Sequence, residues 1–317
     1  TYKYAFHDSL SKGLALDTDS IKVYVKNGDT ETELAKATKD APGYTVTTSD
    51  STPAVDSTEK TEFTGATNFS VSFADLKTAK TADNGTITLD KDSKIIVRYS
   101  AKVNDKAVIG SKGNPNEANL EFSNNPNYSG ETQPTGTTPN DRVIVFTYEV
   151  DINKIDSNSK ALEGATFTLE KWGKNETSGQ YEWKQVGTIA TSQSDGKYTS
   201  KFQRVDDGKY RLTETVAPTG YTPITPKEFT IIAEHDTNSA DPKLTSFKLT
   251  GLTTDPISQT TDNNNVTGIA SADIVNTKGT GLPSTGGMGT VMLYVAGIAV
   301  FVLAGATLVM ALRRRNA

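Results

Sequence analysis

The chain has 317 residues, a formal net charge of −5 and no cysteine. The absence of cysteine excludes disulfides, thiolate nucleophiles and zinc–thiolate sites, and the acidic balance offers no basic patch for nucleic acid. Two histidines are too few for a metal cluster, and no phosphate-binding or dinucleotide-binding motif occurs, so we expect no metal and no cofactor. At about 100–200 residues per domain, this length accommodates two domains.

Short alternating runs of threonine, valine, tyrosine and phenylalanine, separated by Gly, Asn, Asp and Pro, recur along most of the chain. This pattern is typical of β-sandwiches, so we predict an all-β fold. A polar Pro/Gly/Thr stretch at 129–141 is predicted to be a linker between domain one, residues 1–128, and domain two, residues 142–279. One short helix is predicted at 74–80. The clearest strand-like runs are 20–25, 69–73 and 94–99.

Two alternating rows in domain one each include a polar residue, Asp8 in the first and Asn116 in the second. Segments 4–14 and 113–126 resemble the middle domain of sortase-assembled Gram-positive pilins. In that family an aspartate catalyses an isopeptide bond between a lysine and an asparagine, and Asp8 and Asn116 occupy the matching positions. Asn119 is the rival asparagine, but its parity directs it outward. The rows are Tyr2, Tyr4, Phe6 and Asp8, and Asn116, Ala118, Leu120 and Phe122.

The lysine of that bond has no match in this sequence. In the family it lies on a strand upstream of the aspartate, and Lys3 faces away from Asp8 by strand alternation. The resemblance therefore implies that domain one lacks its first strand or strands, and with them this crosslink. The alternative is that Asp8 is a turn-forming cap before Ser9.

In domain two, three strands each end an apolar face with one polar residue. Side-chain alternation places Lys154, Glu214 and Asn276 on the inward faces of their strands. One interpretation is a buried Lys–Glu ion pair with the asparagine hydrogen-bonded to both, because an unpaired buried charge costs several kcal/mol. The other is a chemical reaction. The apolar rows are Phe146, Tyr148, Val150 and Ile152; Tyr210 and Leu212; and Ala272 and Ile274.

The reaction follows from what burial does to these groups. Burial disfavours charge, so it lowers the pKa of the Lys154 amine and raises that of the Glu214 carboxyl. A neutral amine is a nucleophile, and a protonated Glu214 polarises the Asn276 carbonyl and shuttles protons. Attack by Lys154 then expels ammonia and leaves an isopeptide bond. Near-attack geometry supplies the rate for this single turnover.

Three segments of domain two decide between the two interpretations. Residues 210–221 follow the pattern Y-x-L-x-E-x-x-A-P-x-G-Y and resemble the pilin E-box. Segments 154–167 and 274–277 resemble the opening and closing strands of a CnaB-type, SpaA-like domain. The family places its isopeptide lysine, catalytic glutamate and asparagine at the three positions above. The resemblance therefore implies tandem Ig-like, Cna-type sandwiches and a crosslink.

The last 36 residues combine a short motif, an apolar span and a basic tail. The motif reads Leu282-Pro283-Ser284-Thr285-Gly286, the span 289–312 is uncharged, and the tail 313–317 contains three arginines. A helix of this length reaches about 36 Å and crosses a bilayer core of about 30 Å. The arrangement over 280–317 resembles the cell-wall sorting signal of Gram-positive surface proteins.

In that family a sortase cleaves the Thr–Gly bond, here Thr285–Gly286, and an amine of the wall precursor or of another subunit releases the acyl-enzyme. The implied partners are sortase, other pilin subunits, peptidoglycan or its lipid precursor, and the membrane before sorting. The implied location is extracellular and anchored to the cell wall. Because the sequence opens at Thr1 without a methionine or signal peptide, we expect it to be the C-terminal portion of a longer precursor.

Together the resemblances predict a structural subunit of a sortase-assembled pilus, most simply the shaft-forming one. Its only reaction is self-crosslinking, so no enzyme activity is expected. The alternative is an accessory pilin or a wall-anchored adhesin that binds a host protein or glycan. Trp172 and Trp183 are expected to pack on strands, whereas an exposed one would suit a sugar ligand.

Overall fold

The computed structural model describes residues 2–49, 67–125, 127–128, 134–236, 238–239, 242–252, 258–262 and 265–279. The regular secondary structure in these ranges is almost entirely β-strand, which confirms the predicted all-β class. The predicted short helix at 74–80 is a single 3-10 turn, Leu76–Thr78, capped by the Asp75 side chain. In the same ranges we find no helix with the length and hydropathy needed to cross a membrane, and the predicted span 289–312 lies outside them.

Domain one is built from a six-stranded sheet, here called sheet A, and a three-stranded sheet B. Sheet A has the order β4-β5-β1-β7-β8, with β9 also paired to β7, and sheet B has the order β3-β2-β6. Side chains from both sheets form one apolar core. The strands are β1 Tyr4–Leu10, β2 Leu14–Asn27, β3 Thr30–Glu33, β4 Tyr44–Ser49, β5 Thr67–Phe73, β6 Lys94–Val103, β7 Asn114–Ser123, β8 Thr135–Thr137 and β9 Asp141–Val145.

Domain two is built from two five-stranded sheets. Sheet C has the order β13-β14-β10-β19-β18, and sheet D has the order β12-β11-β15-β16-β17. A separate apolar core lies between them. The strands are β10 Tyr148–Asp156, β11 Thr166–Lys174, β12 Tyr181–Ala190, β13 Ser192–Ser194, β14 Lys197–Val205, β15 Gly208–Val216, β16 Lys227–His235, β17 Leu244–Thr250, β18 Ser258–Asp262 and β19 Asn265–Asn276.

The first and last strands of domain two, β10 and β19, are neighbours in sheet C and run parallel. Lys154 pairs with Ile274, and Asp156 pairs with Asn276. Side chains two residues apart on one strand share a face, so Lys154 and Asn276 are diagonal neighbours across these two strands. A bond between them would therefore join the beginning of the domain to its end.

The segment 129–141, predicted as a linker, differs from that expectation. Within the described residues, Thr135–Thr137 forms β8 and Asp141–Val145 forms β9, and both pair with β7. The strands of sheet A therefore continue past the predicted boundary at residue 128 as far as Val145. The Pro, Gly and Thr content indicates only a local preference for turns. The strands form because the tertiary structure places this segment beside β7, whose backbone groups then pair with it.

The two domains contact each other through the loop between β6 and β7. The Gly110 amide donates to the Thr147 carbonyl at 2.8 Å, and the Arg204 guanidinium donates to the Asp105 carbonyl. Gly110 has φ +93, and a Cβ there would overlap the Thr267 carbonyl oxygen. Only glycine accommodates both the conformation and this close approach.

Candidate crosslinking sites

Three buried polar side chains lie at one end of the core of domain two. Lys154 on β10, Glu214 on β15 and Asn276 on β19 are 0%, 5% and 1% exposed. Strands β10 and β19 belong to sheet C and β15 belongs to sheet D, so both sheets contribute to the cluster. The inward orientation predicted from alternation is confirmed for all three.

Hydrogen bonds fix the carboxamide and the amine differently. The Asn276 Nδ2 donates to both carboxyl oxygens of Glu214 at 3.0 Å. The Lys154 Nζ donates to the backbone carbonyls of Ile274 at 2.5 Å and Ile155 at 3.4 Å. Among the described residues, no hydrogen bond or ion pair links Lys154 directly to Glu214 or Asn276. The amine is thus held against the strand that carries the amide.

The amine has an unusual protonation equilibrium. Burial lowers the pKa of Lys154 from 10.5 to about 8, and the charge of Glu214 opposes this shift. At neutral pH about a tenth of the amine is therefore unprotonated, against less than about a thousandth for an ordinary lysine. Only the unprotonated form carries the lone pair needed for nucleophilic attack.

The carboxamide is poised for a change of partner. Asn276 Oδ1 is buried and has no hydrogen-bond partner in the described part of the chain. Leaving such an atom unpaired costs about 1–3 kcal/mol. A half-turn of the carboxamide exchanges Oδ1 with Nδ2 and places Oδ1 where Nδ2 lies, 3.0 Å from both carboxyl oxygens of Glu214. In that position Oδ1 can accept a hydrogen bond only from a carboxyl group that carries a proton.

The structure adds one contact that the sequence interpretation missed. The Ile224 amide donates to Glu214 Oε2 at 2.9 Å. The preceding turn, with Gly220 at φ +83, bonds to the end of β19 through the Thr222 amide and the Thr277 carbonyl at 3.1 Å. The Ala-Pro-x-Gly-Tyr part of the E-box pattern is the sequence signal for this turn, which brings a backbone donor onto the carboxyl group.

Domain one contains a related cluster. Asn116 Nδ2 donates to Asp8 Oδ2 at 3.2 Å and to the Tyr99 hydroxyl at 3.1 Å, and that hydroxyl donates to Asp8 Oδ2 at 3.0 Å. The structure thus brings Asp8 and Asn116 together as predicted and adds Tyr99, which sequence reasoning missed. Asn119 bonds instead to Asn140 at 3.1 Å. Burial raises the pKa of Asp8 from 3.8 to about 6, against its hydrogen bonds to Asn116 and Tyr99.

Lys3 does not supply an amine to this cluster. Its Nζ pairs with Glu121 at 2.7 Å, as its outward parity predicts. The alternative role of Asp8, a cap before Ser9, is wrong because both residues lie inside β1 and Asp8 is 1% exposed. No lysine contacts Asp8 or Asn116 in the portion of the chain that the structure describes.

The sorting-motif residues Leu282, Pro283, Ser284, Thr285 and Gly286 all lie outside the described residues. The motif, the apolar span and the basic tail therefore stay predictions from the sequence.

Residues 148–244 match the family model of the SpaA prealbumin-like fold domain. This range begins with β10 and includes Lys154, Glu214 and the E-box turn. The matched range lies within predicted domain two, 142–279, and agrees with the resemblance of its motifs to a SpaA-like domain.

One curated protein and several solved structures are similar to this chain. It is 36% identical over 135 residues to the trypsin-resistant surface T6 protein of Streptococcus pyogenes serotype M6, covering 39% of this chain and 23% of that protein's length. The solved pilus 2b backbone protein of group B streptococcus is 22% identical, with 89% and 88% of the chains covered and a TM-score of 0.49. The T6 backbone pilin of serotype M6 Streptococcus pyogenes is 23% identical, with 88% and 61% covered and a TM-score of 0.48.

Proposed function

We propose that the protein is a structural subunit of a sortase-assembled cell-surface pilus, stabilised by an isopeptide bond between Lys154 and Asn276. The observation that carries the proposal is the burial of an amine, a carboxyl and a carboxamide together at one end of domain two, of which residues 148–244 match the SpaA family model. The similar T6 surface protein is named for its resistance to trypsin. An internal crosslink offers a physical reason for such resistance, because it limits the local opening that proteolysis requires.

The chemistry balances within the three side chains. A protonated Glu214 donates to the Asn276 carbonyl oxygen, and the neutral Lys154 Nζ attacks Cγ. The new N–Cγ bond forms and the Cγ–Nδ2 bond breaks. Glu214 accepts one proton from the attacking amine and returns one to the departing nitrogen, which leaves as ammonia. The carboxyl is unchanged, and each molecule reacts once, so the protein is not an enzyme.

The position of the bond suits a load-bearing subunit. Strands β10 and β19 are parallel neighbours at the two ends of domain two, and parallel strands pulled from opposite ends separate along their hydrogen-bond ladder. A covalent link between them carries the load past that ladder. Force can then pass from one end of domain two to the other while the strands of its sheets stay paired.

Domain one is proposed to hold the same chemistry in incomplete form. Asp8 is the catalytic carboxyl and Asn116 the acceptor amide, and the lysine that would supply the amine has no match in this sequence. Their mutual hydrogen bond at 3.2 Å and shared burial support these roles.

The C-terminal segment is proposed to anchor the protein to the cell wall. Sortase cleaves Thr285–Gly286 after the span 289–312 holds the chain in the membrane, and the product joins other subunits or the peptidoglycan precursor. Thr285→Ala is expected to leave unprocessed protein in the membrane fraction. Wild-type amounts of this variant in purified cell walls would contradict the assigned motif.

The mass of the purified chain tests the central proposal. Intact-mass spectrometry should give the sequence mass less one ammonia, and fragmentation should yield a peptide pair joined through Lys154 and Asn276. Asn276→Ala should restore the full mass. The matched control Asn153→Ala removes another buried asparagine of domain two, 5% exposed, and should keep the deficit. A wild-type chain with its full sequence mass would refute the crosslink.

One observation favours the alternative of an accessory pilin or adhesin. Trp172 and Tyr181 are 37% and 61% exposed, and their rings lie 6.1 Å apart at 25°. Adjacent exposed aromatic rings present a flat apolar surface suited to a sugar face or a protein partner. Quenching or a shift of tryptophan fluorescence on a glycan panel, lost in Trp172→Ala, would support that role. Unchanged fluorescence across the panel would count against glycan binding.

A further inference from the structure

The Tyr99 hydroxyl lies between the two groups assigned to crosslinking in domain one. It is 3.0 Å from Asp8 Oδ2 and 3.1 Å from Asn116 Nδ2. The tyrosine comes from β6 in sheet B, whereas Asp8 and Asn116 come from β1 and β7 in sheet A. Its ring packs edge-on against Phe69 with centroids 4.9 Å apart, which fixes the hydroxyl in position.

In the structure, the Asn116 carboxamide is oriented so that its nitrogen Nδ2 donates to both Asp8 and Tyr99. Its oxygen Oδ1 is then buried and without a hydrogen-bond partner in the described part of the chain. A half-turn of the amide places Oδ1 where Nδ2 lies, about 3 Å from both Asp8 Oδ2 and the Tyr99 hydroxyl. Once Asp8 is protonated, both neighbours can donate to the turned Oδ1, while Nδ2 takes the position in which Oδ1 had no partner among the described residues.

We propose that Tyr99 is a further catalytic residue, which together with protonated Asp8 forms a two-donor oxyanion hole for the Asn116 carboxamide. A tyrosine and a protonated aspartic acid are a known composition for such a site. The proposal rests on the proposed crosslinking chemistry of domain one. It assigns to Tyr99 the stabilisation of the negative charge that forms on Oδ1 when an amine attacks Cγ.

The electrostatic surroundings support both donor roles. Burial raises the pKa of Tyr99, and the neighbouring charge of Asp8 raises it further, so the phenol keeps its proton. The groups that face the Asp8 carboxyl are Tyr99 from β6 and Asn116 from β7, and no cation contacts it among the described residues. The pKa of about 6 leaves Asp8 substantially protonated in mildly acidic solution.

Hydroxylamine tests the proposal in the chain as it exists, because it is a small amine of which a substantial fraction is neutral near pH 6, whereas an alkyl amine is almost fully protonated there. Its nitrogen attacks Asn116 Cγ, the Cγ–Nδ2 bond breaks, ammonia leaves, and the residue gains one oxygen atom as a hydroxamate. Peptide mapping after incubation near pH 6 should find this product at Asn116. Tyr99→Phe, which keeps the ring, should react about a hundredfold more slowly, the usual effect of losing one oxyanion donor.

Matched variants separate the possible failures. Tyr44→Phe removes a different buried tyrosine hydroxyl from the same core and should react like the wild type. A wild-type rate in Tyr99→Phe would overturn the role of Tyr99. If Asp8→Ala then reacted slowly, the carboxyl group would act without the tyrosine. A wild-type chain unmodified at Asn116 would overturn the oxyanion hole, whereas the ammonia deficit from Lys154 and Asn276, measured in the same sample, tests the proposed function independently.

Discussion

The carboxyl groups of Glu214 and Asp8 are each buried beside an asparagine amide, but the rest of their surroundings differ. In domain two a buried lysine completes the cluster, and its pKa is lowered to about 8. In domain one a tyrosine hydroxyl takes the remaining place, and Asp8 itself has its pKa raised to about 6. The first cluster therefore holds all reactants of an amide exchange, and the second holds an acid and an acceptor.

The pKa of a lysine in this domain follows the balance between its burial and the charges of its neighbours. Lys201, also in domain two, lies 3.3 Å from Asp151 and 3.4 Å from Glu149. Burial acts to lower its pKa, but these two carboxylates outweigh burial and raise it, and its side chain is 48% exposed. Lys201 therefore stays an ammonium in an ion pair, whereas the hydrogen bonds of the Lys154 amine within the described residues go to neutral backbone carbonyls.

The largest expected effect is the loss of the crosslink in domain two. Glu214→Gln should restore the full sequence mass and lower the free energy of unfolding of this domain by about 5 kcal/mol, the size expected for a covalent link that closes a loop of about 100 residues. Calorimetry and tryptic digestion would measure this. Glu149→Gln is the control, because Glu149 is also buried in domain two but lies outside the cluster. An ammonia deficit in Glu214→Gln would mean that another group catalyses the bond.

The same variant should show a rise in stability with pH. Without the crosslink, Lys154 has a pKa at or below about 8 in the folded state and 10.5 in the unfolded state. Between these two pH values the folded state therefore binds fewer protons than the unfolded state. The free energy of unfolding should increase from about pH 8 to pH 10.5 by about 3 kcal/mol. Denaturant titrations across this range measure it, and Lys154→Met in the same background should flatten the profile.

Domain one should show the opposite trend at lower pH. Its Asp8 has a folded-state pKa of about 6 against 3.8 when unfolded, so the folded state binds more protons and is favoured in acid. The contribution is fully present below pH 3.8 and is lost as the pH rises through 6, a change of about 3 kcal/mol. Hydrogen exchange of the backbone amides of β1 and β7, followed as a function of pH, measures the stability of this domain. Asp8→Asn should remove the dependence, and an unchanged profile in that variant would contradict the raised pKa.

The smallest effect is expected at the exposed ion pair. Lys201→Ala should leave the ammonia deficit intact and change stability by about 1 kcal/mol or less, because exposed pairs contribute little. Intact mass and calorimetry suffice for the measurement. Loss of the deficit in this variant would show that Lys201, rather than Lys154, is the reacting amine.

Strand alternation was sufficient to find the three buried polar residues of domain two. Lys154, Glu214 and Asn276 each continue an apolar row, and a period of two fixes which face a side chain takes once the strand exists. Asp8 and Asn116 were found in the same way, with Lys3 and Asn119 assigned outward by parity.

Tyr99 and the strands at 135–145 were not predicted. Tyr99 lies on a strand of the opposite sheet, and an alternating row does not reveal which side chain of the facing sheet reaches it. Strands β8 and β9 form from a Pro/Gly/Thr-rich segment because β7 offers its hydrogen-bonding edge there. The contact of the Ile224 amide with Glu214 depends on a turn whose position over β19 is also a tertiary feature.

The order of residues along this chain determined its all-β class, the inward polar residues and the kinship with pilus proteins, because these follow from side-chain period and local motifs. The tertiary structure decided which sheets face each other, and hence that β10 and β19 lie side by side, that an amine is desolvated next to a carboxamide, and that a tyrosine joins the second cluster. Those facts depend on contacts between residues about 20 to 120 positions apart, and the energy of such contacts comes from packing and desolvation that no local pattern encodes.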